Sequence, residues 1–290
     1  MDQTAAVVAE INVALGTDYE TVRRLTGGLQ EGAFELKSKQ ARVVLKWNAD
    51  PGWAPRVRRA AQLVARARAV GYPTPKWLAV GTTASGRPYQ LQEFVLGTPL
   101  SDAAAIDKAL AEELVGICEL QRDLVDDEEA TWSDYARGIV FEGWGEMWET
   151  VRRYDETTAE LIAGYERACL PYRDTALPSN DLVHGDLNVS NLILDGGRVA
   201  GVIDIEAASG GSRAYDLVSL AASAARDGAP EGVDEYFFEA ALKASGRAAT
   251  VVCAASAYAN IAAFAWEVAP ESLPLIQRGG ARLLTLLNDS

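Results

Sequence analysis

The chain has 290 residues, 49% of them hydrophobic, with 27 basic side chains set against 41 acidic ones for a net charge of −14. This suits one large domain or two lobes with a proper core, and excludes a disordered or fibrous chain. The acidity disfavours nucleic acid and anionic membranes as partners and favours small cationic molecules, although it serves solubility equally well. Cys118, Cys169 and Cys253 lie far apart with no CxxC spacing. A disulfide framework or zinc site is therefore not expected, and a reducing cytoplasm fits.

In chain order, residues 4–15 read as a short amphipathic helix. VRRLTGG (22–28), FELKSK (34–39) and ARVVLKW (41–47) read as three strands of an antiparallel meander, with GGLQEG (27–32) between the first two. Pro55 opens a helix to about Val70, and Gly71 stops it. KWLAVGT (76–82) and PYQLQEFV (88–95) read as two more strands, and Gly97-Thr98-Pro99 marks a boundary. Beyond Ala103 the pattern is mainly helical, interrupted by LIL (192–194), DGGR and VAGVID (199–204), which read as a hairpin. The uncharged run Ala248 to Trp266 is long enough to span a bilayer. It is mostly alanine with Thr250, Ser256, Tyr258 and Asn260 inside it, and reads as a buried core helix. The N-terminal MDQTAAVVAEINVALG has no basic export-type region.

The stretch HGDLNVSN (184–191) holds the chain's one histidine. A hairpin symmetric about Gly197–Arg198 sets residue 194 against 201, 192 against 203, and Asn191 against Asp204. Asp186, Asn191 and Asp204 then meet at one end of the hairpin. An amide oxygen and a carboxylate are hard ligands suited to Mg²⁺ held mainly by substrate phosphates, and a further aspartate within reach accepts a proton from an attacking hydroxyl. That combination is what phosphoryl transfer requires.

His184-Gly-Asp186-Leu-x-x-x-Asn191, followed by Ile203-Asp204-Ile-Glu206, resembles the aminoglycoside phosphotransferase family. The resemblance implies an α+β, bilobal protein-kinase-like fold: a small antiparallel-sheet lobe over residues 1–97 that binds nucleotide, and a larger mainly helical lobe over 98–290 with the catalytic loop and acceptor site. It implies Asp186 as catalytic aspartate, Asn191 and Asp204 as Mg²⁺ ligands, and His184 as a brace of the catalytic loop. Asp216 in AYDLVSL matches a buried aspartate that ties down that loop, or reads as an ordinary helix N-cap. Lys46 matches the lysine that contacts the α- and β-phosphates of ATP or GTP. The backbones of Glu93 and Val95 match the adenine-binding hinge, with Gln92 as gatekeeper, and Gly28 lies in the candidate nucleotide flap. The family usually pairs its strand lysine with a glutamate on the next helix, but residues 55–70 hold no acid. Gln62, sixteen residues after Lys46, is the nearest polar substitute.

The family places its acceptor between the helix after the hinge and the catalytic loop. Residues 123–160 hold twelve acids and three bases, a local charge of −9, together with Trp132, Tyr135, Phe141, Trp144, Trp148 and Tyr154. Acids and rings together suit an amino-sugar or polyamine. Glu206, Trp144, Trp148, Asp134 and Glu142 are the acceptor-binding candidates. Alternatively Phe141, Trp144 and Trp148, at i, i+3 and i+7, form a buried helix stripe with the acids as a solvated face. Three functions remain open: a kinase of cationic antibiotics, a metabolic kinase acting on an amino alcohol, sugar or homoserine-like acceptor, and a non-catalytic nucleotide-binding module.

Overall fold

The computed structural model describes residues 3–25, 32–100, 106–126 and 131–290. Helix α1 (Gln3–Leu15) precedes strands β1 (Glu20–Leu25), β2 (Ala33–Lys37) and β3 (Arg42–Trp47). Helix α2 (Ala54–Ala69) then leads to β4 (Trp77–Thr82) and β5 (Pro88–Glu93), completing an antiparallel sheet in the order β1-β2-β3-β5-β4. Period-two alternation sorts the side chains. Val43, Leu45, Trp47, Tyr89 and Leu91 form one apolar core with Val7, Val8 and Ile11 of α1. The alternate residues of β3 and β5, namely Val44, Lys46, Gln90 and Gln92, line the opposite face. The sequence predicts the first strand to residue 28; β1 ends at Leu25, and Gly28, like most of the GGLQEG turn, lies outside the described residues.

Helix α2 contributes Leu63, Val64 and Ala67 to the larger core, built mainly by the C-terminal part of the chain. This comprises β6 (Thr98–Pro99), α3 (Lys108–Glu119), α4 (Trp132–Phe141), α5 (Met147–Arg152) and α6 (Glu156–Cys169). It continues with β7 (Asp181–Val183), β8 (Leu192–Asp195), β9 (Arg198–Val202), β10 (Ser209–Gly211), α7 (Ala214–Asp227), α8 (Val233–Val268) and α9 (Leu273–Asp289). The expected uncharged helix lies within α8, after a break at Gly246 (φ 76°, ψ 170°). That helix is long and apolar enough to cross a membrane, yet 67% of its most apolar window is buried inside the protein. Its buried alanines, including Ala254, Ala255, Ala259 and Ala262, let α4, α6, α7 and α9 pack closely around it.

Two features differ from the sequence reading. First, the hairpin register is one residue off. Leu192 pairs with Val202 and Ile193 with Gly201, then an irregularity shifts Leu194 to Val199. Asn191 consequently faces Ile203, whose N–H it receives at 2.9 Å, rather than Asp204. Second, the short strands β6, β7 and β10 have too few residues to show a period; β6 extends the β8–β9 hairpin, and β10 pairs with β7.

The β7–α7 junction is fixed by charge. Arg213 Nη1 meets Asp181 Oδ2 at 2.8 Å with both side chains 5% exposed, and Arg213 Nη2 lies 3.4 Å from Glu119. Arg213→Met keeps the volume but strands a buried carboxylate. We expect it to cost about 3–5 kcal/mol, read as a lowered urea midpoint; a loss below ~1 kcal/mol would show that solvent screens the pair.

Candidate functional site

The turn after β7 is built around Asp216, which is fully buried in the first turn of α7. Its carboxylate accepts the backbone N–H groups of His184 (2.7 Å) and Gly185 (3.0 Å) and the side-chain amide of Gln121 (2.6 Å). Burial pushes the carboxyl above its ordinary pKa, opposed by His184 and these three donors. Of the two readings of Asp216, the loop tie is the one formed.

His184 is also fully buried. Its Nδ1 accepts the N–H of Asp186 (3.3 Å), so Nε2 carries the proton donated to Ile203 O (2.9 Å). One imidazole thus joins the loop to Ile203, between the end of β9 and Asp204. Gly185 has φ +84°, and a Cβ there would stand 2.2 Å from the ring of Trp132. Both facts demand glycine. Trp132 is held in turn by its indole N–H to Ala207 O (3.0 Å).

Asp186 is exposed to the cleft. Its two carboxylate oxygens receive the amides of Asn188 (2.8 Å) and Asn191 (3.0 Å). Because Asn191 donates through Nδ2, also to Asp186 O at 2.7 Å, its Oδ1 is left as an acceptor. Asp204 is one of three described non-glycine residues with positive φ (65°). Across the cleft, Lys46 Nζ lies 2.5 Å from Asp204 Oδ1 and 2.7 Å from Glu206 Oε1. Burial disfavours the ammonium, but the charges of Glu206 and Asp204 outweigh it and raise the Lys46 pKa above the ordinary lysine value. Gln90 and Gln92 also donate to Glu206 Oε1, Gln92 at 3.3 Å.

Several expectations are corrected by these contacts. Gln62 is exposed on α2 and is not among the partners of Lys46. Glu206 is directed to Lys46 and the two glutamines instead of to an acceptor. Asp134 forms a capping box with Thr131 at the start of α4. Trp148 is 5% exposed in the main core, its indole N–H on Glu166 (2.9 Å). The supposed stripe Phe141, Trp144, Trp148 does not share a helix, because Gly143 and Gly145, both at positive φ, separate α4 from α5. Trp144 is 45% exposed and packs on Gly138, and Glu142 is exposed at the end of α4. Asp127, Glu128 and Glu129 of the acidic segment lie outside the described residues.

At the hinge expected from the sequence, the Glu93 N–H is bonded to Lys76 O (2.9 Å). Val95 packs against Gly201, where a Cβ would come within 2.9 Å of it. A cavity of ≈ 640 Å³ flanks the hinge and is lined by Arg42, Arg68, Thr74, Glu93 and Phe94 among others. Lys46, Asp186, Asn191 and Asp204 are not part of its lining.

This combination of a five-stranded sheet with a helical body, joined at a cleft, is found in solved structures. The aminoglycoside phosphotransferase APH(4)-Ia is 16% identical with a TM-score of 0.68, covering 98% of this chain and 99% of its own. The GDP complex of aminoglycoside 2'-phosphotransferase-IIIa is 13% identical with a TM-score of 0.69, covering 96% and 98%. The choline kinase LicA from Streptococcus pneumoniae is 13% identical with a TM-score of 0.65, covering all of both chains. The fold is therefore the kinase-like one. The model of the phosphotransferase enzyme family matches residues 21–251, and the chain belongs to that family, the aminoglycoside phosphotransferases and their relatives. No curated protein sequence matches the chain.

Asp216→Ala would leave two buried N–H groups and one amide without an acceptor. At about 1–3 kcal/mol for each stranded group, we expect a loss of at least ~3 kcal/mol in chemical denaturation. Gln121→Ala should cost clearly less; equal costs would mean that the backbone ties are not what Asp216 supplies.

Proposed function

We propose that the chain moves the γ-phosphate of ATP or GTP to a hydroxyl of a small cationic acceptor, of the kind found on aminoglycosides and other basic antibiotics. The observation that carries this reading is the convergence of Asp186, Asn191 and Asp204 on one side of the cleft with Lys46 on the other. In this account residues 1–97 form the nucleotide-binding lobe and 98–290 the lobe with the catalytic loop. Lys46 contacts the α- and β-phosphates, and the backbones of Glu93 and Val95 hold the base. Related structures support a nucleotide donor: a thermostable mutant of APH(4)-Ia is described in ternary complex with ADP and hygromycin B (15% identity, TM-score 0.66, coverage 95% and 97%).

Asn191 and Asp204 offer hard oxygen donors, and the described residues hold no group of three or more His, Cys, Asp or Glu able to cage a metal. Such a site suits Mg²⁺ held largely by phosphate and water. When bound, the ion would neutralise phosphate charge. Asp186, oriented by Asn188 and Asn191, points the acceptor hydroxyl at the γ-phosphorus and takes its proton late in the transfer. The acceptor oxygen forms the new P–O bond while the β–γ bridging oxygen leaves with its electron pair on the nucleoside diphosphate. The three cysteines are free and buried, which suits a reducing cytoplasm.

A metabolic kinase is the second reading, favoured by the full-length likeness to a choline kinase and by the loss of Asp134, Trp148 and Glu206 from the acceptor set. Trp144 and Glu142 remain as acceptor candidates. The two readings separate in an ADP-release screen against aminoglycosides, macrolides, basic peptide antibiotics and small amino alcohols. Turnover best with a polycationic antibiotic, and weakening as salt rises, supports the first; turnover best with a small amino alcohol or a neutral sugar supports the second.

Asp186→Asn should hold nucleotide affinity within a few-fold and lower turnover by roughly 10²-fold or more, whereas Asp204→Ala should abolish Mg²⁺-dependent turnover. Near-normal turnover in either variant would remove that residue from its assigned role.

A further inference from the structure

A half-buried ammonium that meets phosphates needs a counter-charge that stays in place, and α2 does not supply one. Its sequence, APRVRRAAQLVARARA, carries five arginines and no acid. Both carboxylates at Lys46 come instead from the segment after β9, and they are held differently.

The Asp204 side chain is 32% exposed, and Lys46 is its hydrogen-bond partner among the described residues. The Glu206 side chain is 17% exposed and is gripped from several sides. Its Oε1 receives Lys46 and the amides of Gln90 and Gln92, whose residues are 2% and 4% exposed, and its backbone oxygen receives Arg56 Nε at 3.3 Å. Gln90 stands directly across from Lys46 in the β3–β5 pairing, and Gln92 across from Val44. Lys46 and the two glutamines therefore form one polar group on a single sheet face, with spacing set by the strands. They converge on the Glu206 carboxylate, which is thereby fixed relative to β3. Among the described residues Asp204 has no such anchor.

We propose that Glu206 is the positioning residue of Lys46, acting from the segment after the hairpin in place of an acid on α2. It holds the ammonium in place and aimed into the cleft, so that Asp204 is free to serve a cation. Gln90 and Gln92 have no charge to give; they hold Glu206 in place. Glu206 touches no phosphate itself and acts through Lys46. This inference rests on the reading of Lys46 as the phosphate contact.

The test is a double-mutant cycle on ATP binding, measured by calorimetry with and without Mg²⁺ on the full chain. Glu206→Gln should weaken ATP binding roughly ten-fold, within the coupling range of contacting pairs. Lys46→Met should weaken it at least as much. Because the acid acts through the lysine, the double variant should bind within about two-fold of Lys46→Met alone. A purely structural contribution would not produce this non-additivity. Effects that multiply, or an unchanged affinity in Glu206→Gln, would overturn the proposal while leaving the kinase reading intact. Wild-type protein that binds no ATP would overturn both. Should Glu206→Gln fold poorly in a thermal melt, Glu206→Asp takes its place in the cycle, with the same coupling expected and independent effects again decisive against it.

Discussion

The buried carboxylate of Asp216 is the constraint from which the rest of the site follows. It fixes the backbone of His184 and Gly185. That placement sets the imidazole, which holds Asp186 through one nitrogen and Ile203 through the other. The segment that follows β9, held at Ile203, delivers Asp204 and Glu206 to Lys46 on the far side of the cleft. The price is a fully desolvated acid, whose pKa burial raises, offset by three N–H donors. A loop held in this way is rigid before any ligand arrives, as a group that must orient a nucleophile requires.

Much of this was legible in the residues. The spacing from His184 to Asn191, then to Asp204, marked the loop and hairpin, and alternation in 41–47 and 88–95 marked the strands that carry Lys46 and the glutamines. The hairpin register differs by one residue from the symmetric expectation because the turn is two glycines with positive φ, Gly196 and Gly197, beside an irregularity at Ile193–Leu194. Sequence symmetry does not encode such a shift, and the αL backbone of Asp204 then aims its side chain in a way no strand pattern predicts. Asn188 lies two residues after Asp186, but its role is not legible from sequence, since short polar loop residues usually satisfy only their own turn. Here it does so, receiving Ser190 N–H at 2.9 Å, and it holds Asp186 as well.

The acceptor region shows the opposite limit. Charge and aromatic content in 123–160 point to a cation site, yet composition cannot distinguish a ring that packs inward from one that faces a ligand. Two glycines between α4 and α5 destroy the helical period on which the stripe depended, burying Trp148 and exposing Trp144. Trp132, in the same segment, braces Gly185 from the side and stands tilted on Tyr215 at 4.8 Å between ring centres. Its contribution is thus to the catalytic loop. The kinase-like fold is shared by enzymes with different acceptors, so the nature of the acceptor has to be argued from side chains at the cleft.

The central claim is that Asp186 presents a hydroxyl to a nucleotide's γ-phosphate. Phosphorus NMR of the chain with ATP, Mg²⁺ and a polycationic aminoglycoside or a small amino alcohol tests it most directly. The account predicts that the γ-phosphate signal is replaced by that of a phosphomonoester on the acceptor, and that Asp186→Asn nearly abolishes the conversion. An unchanged γ-phosphate with every acceptor, or conversion at the same rate in Asp186→Asn, would contradict it.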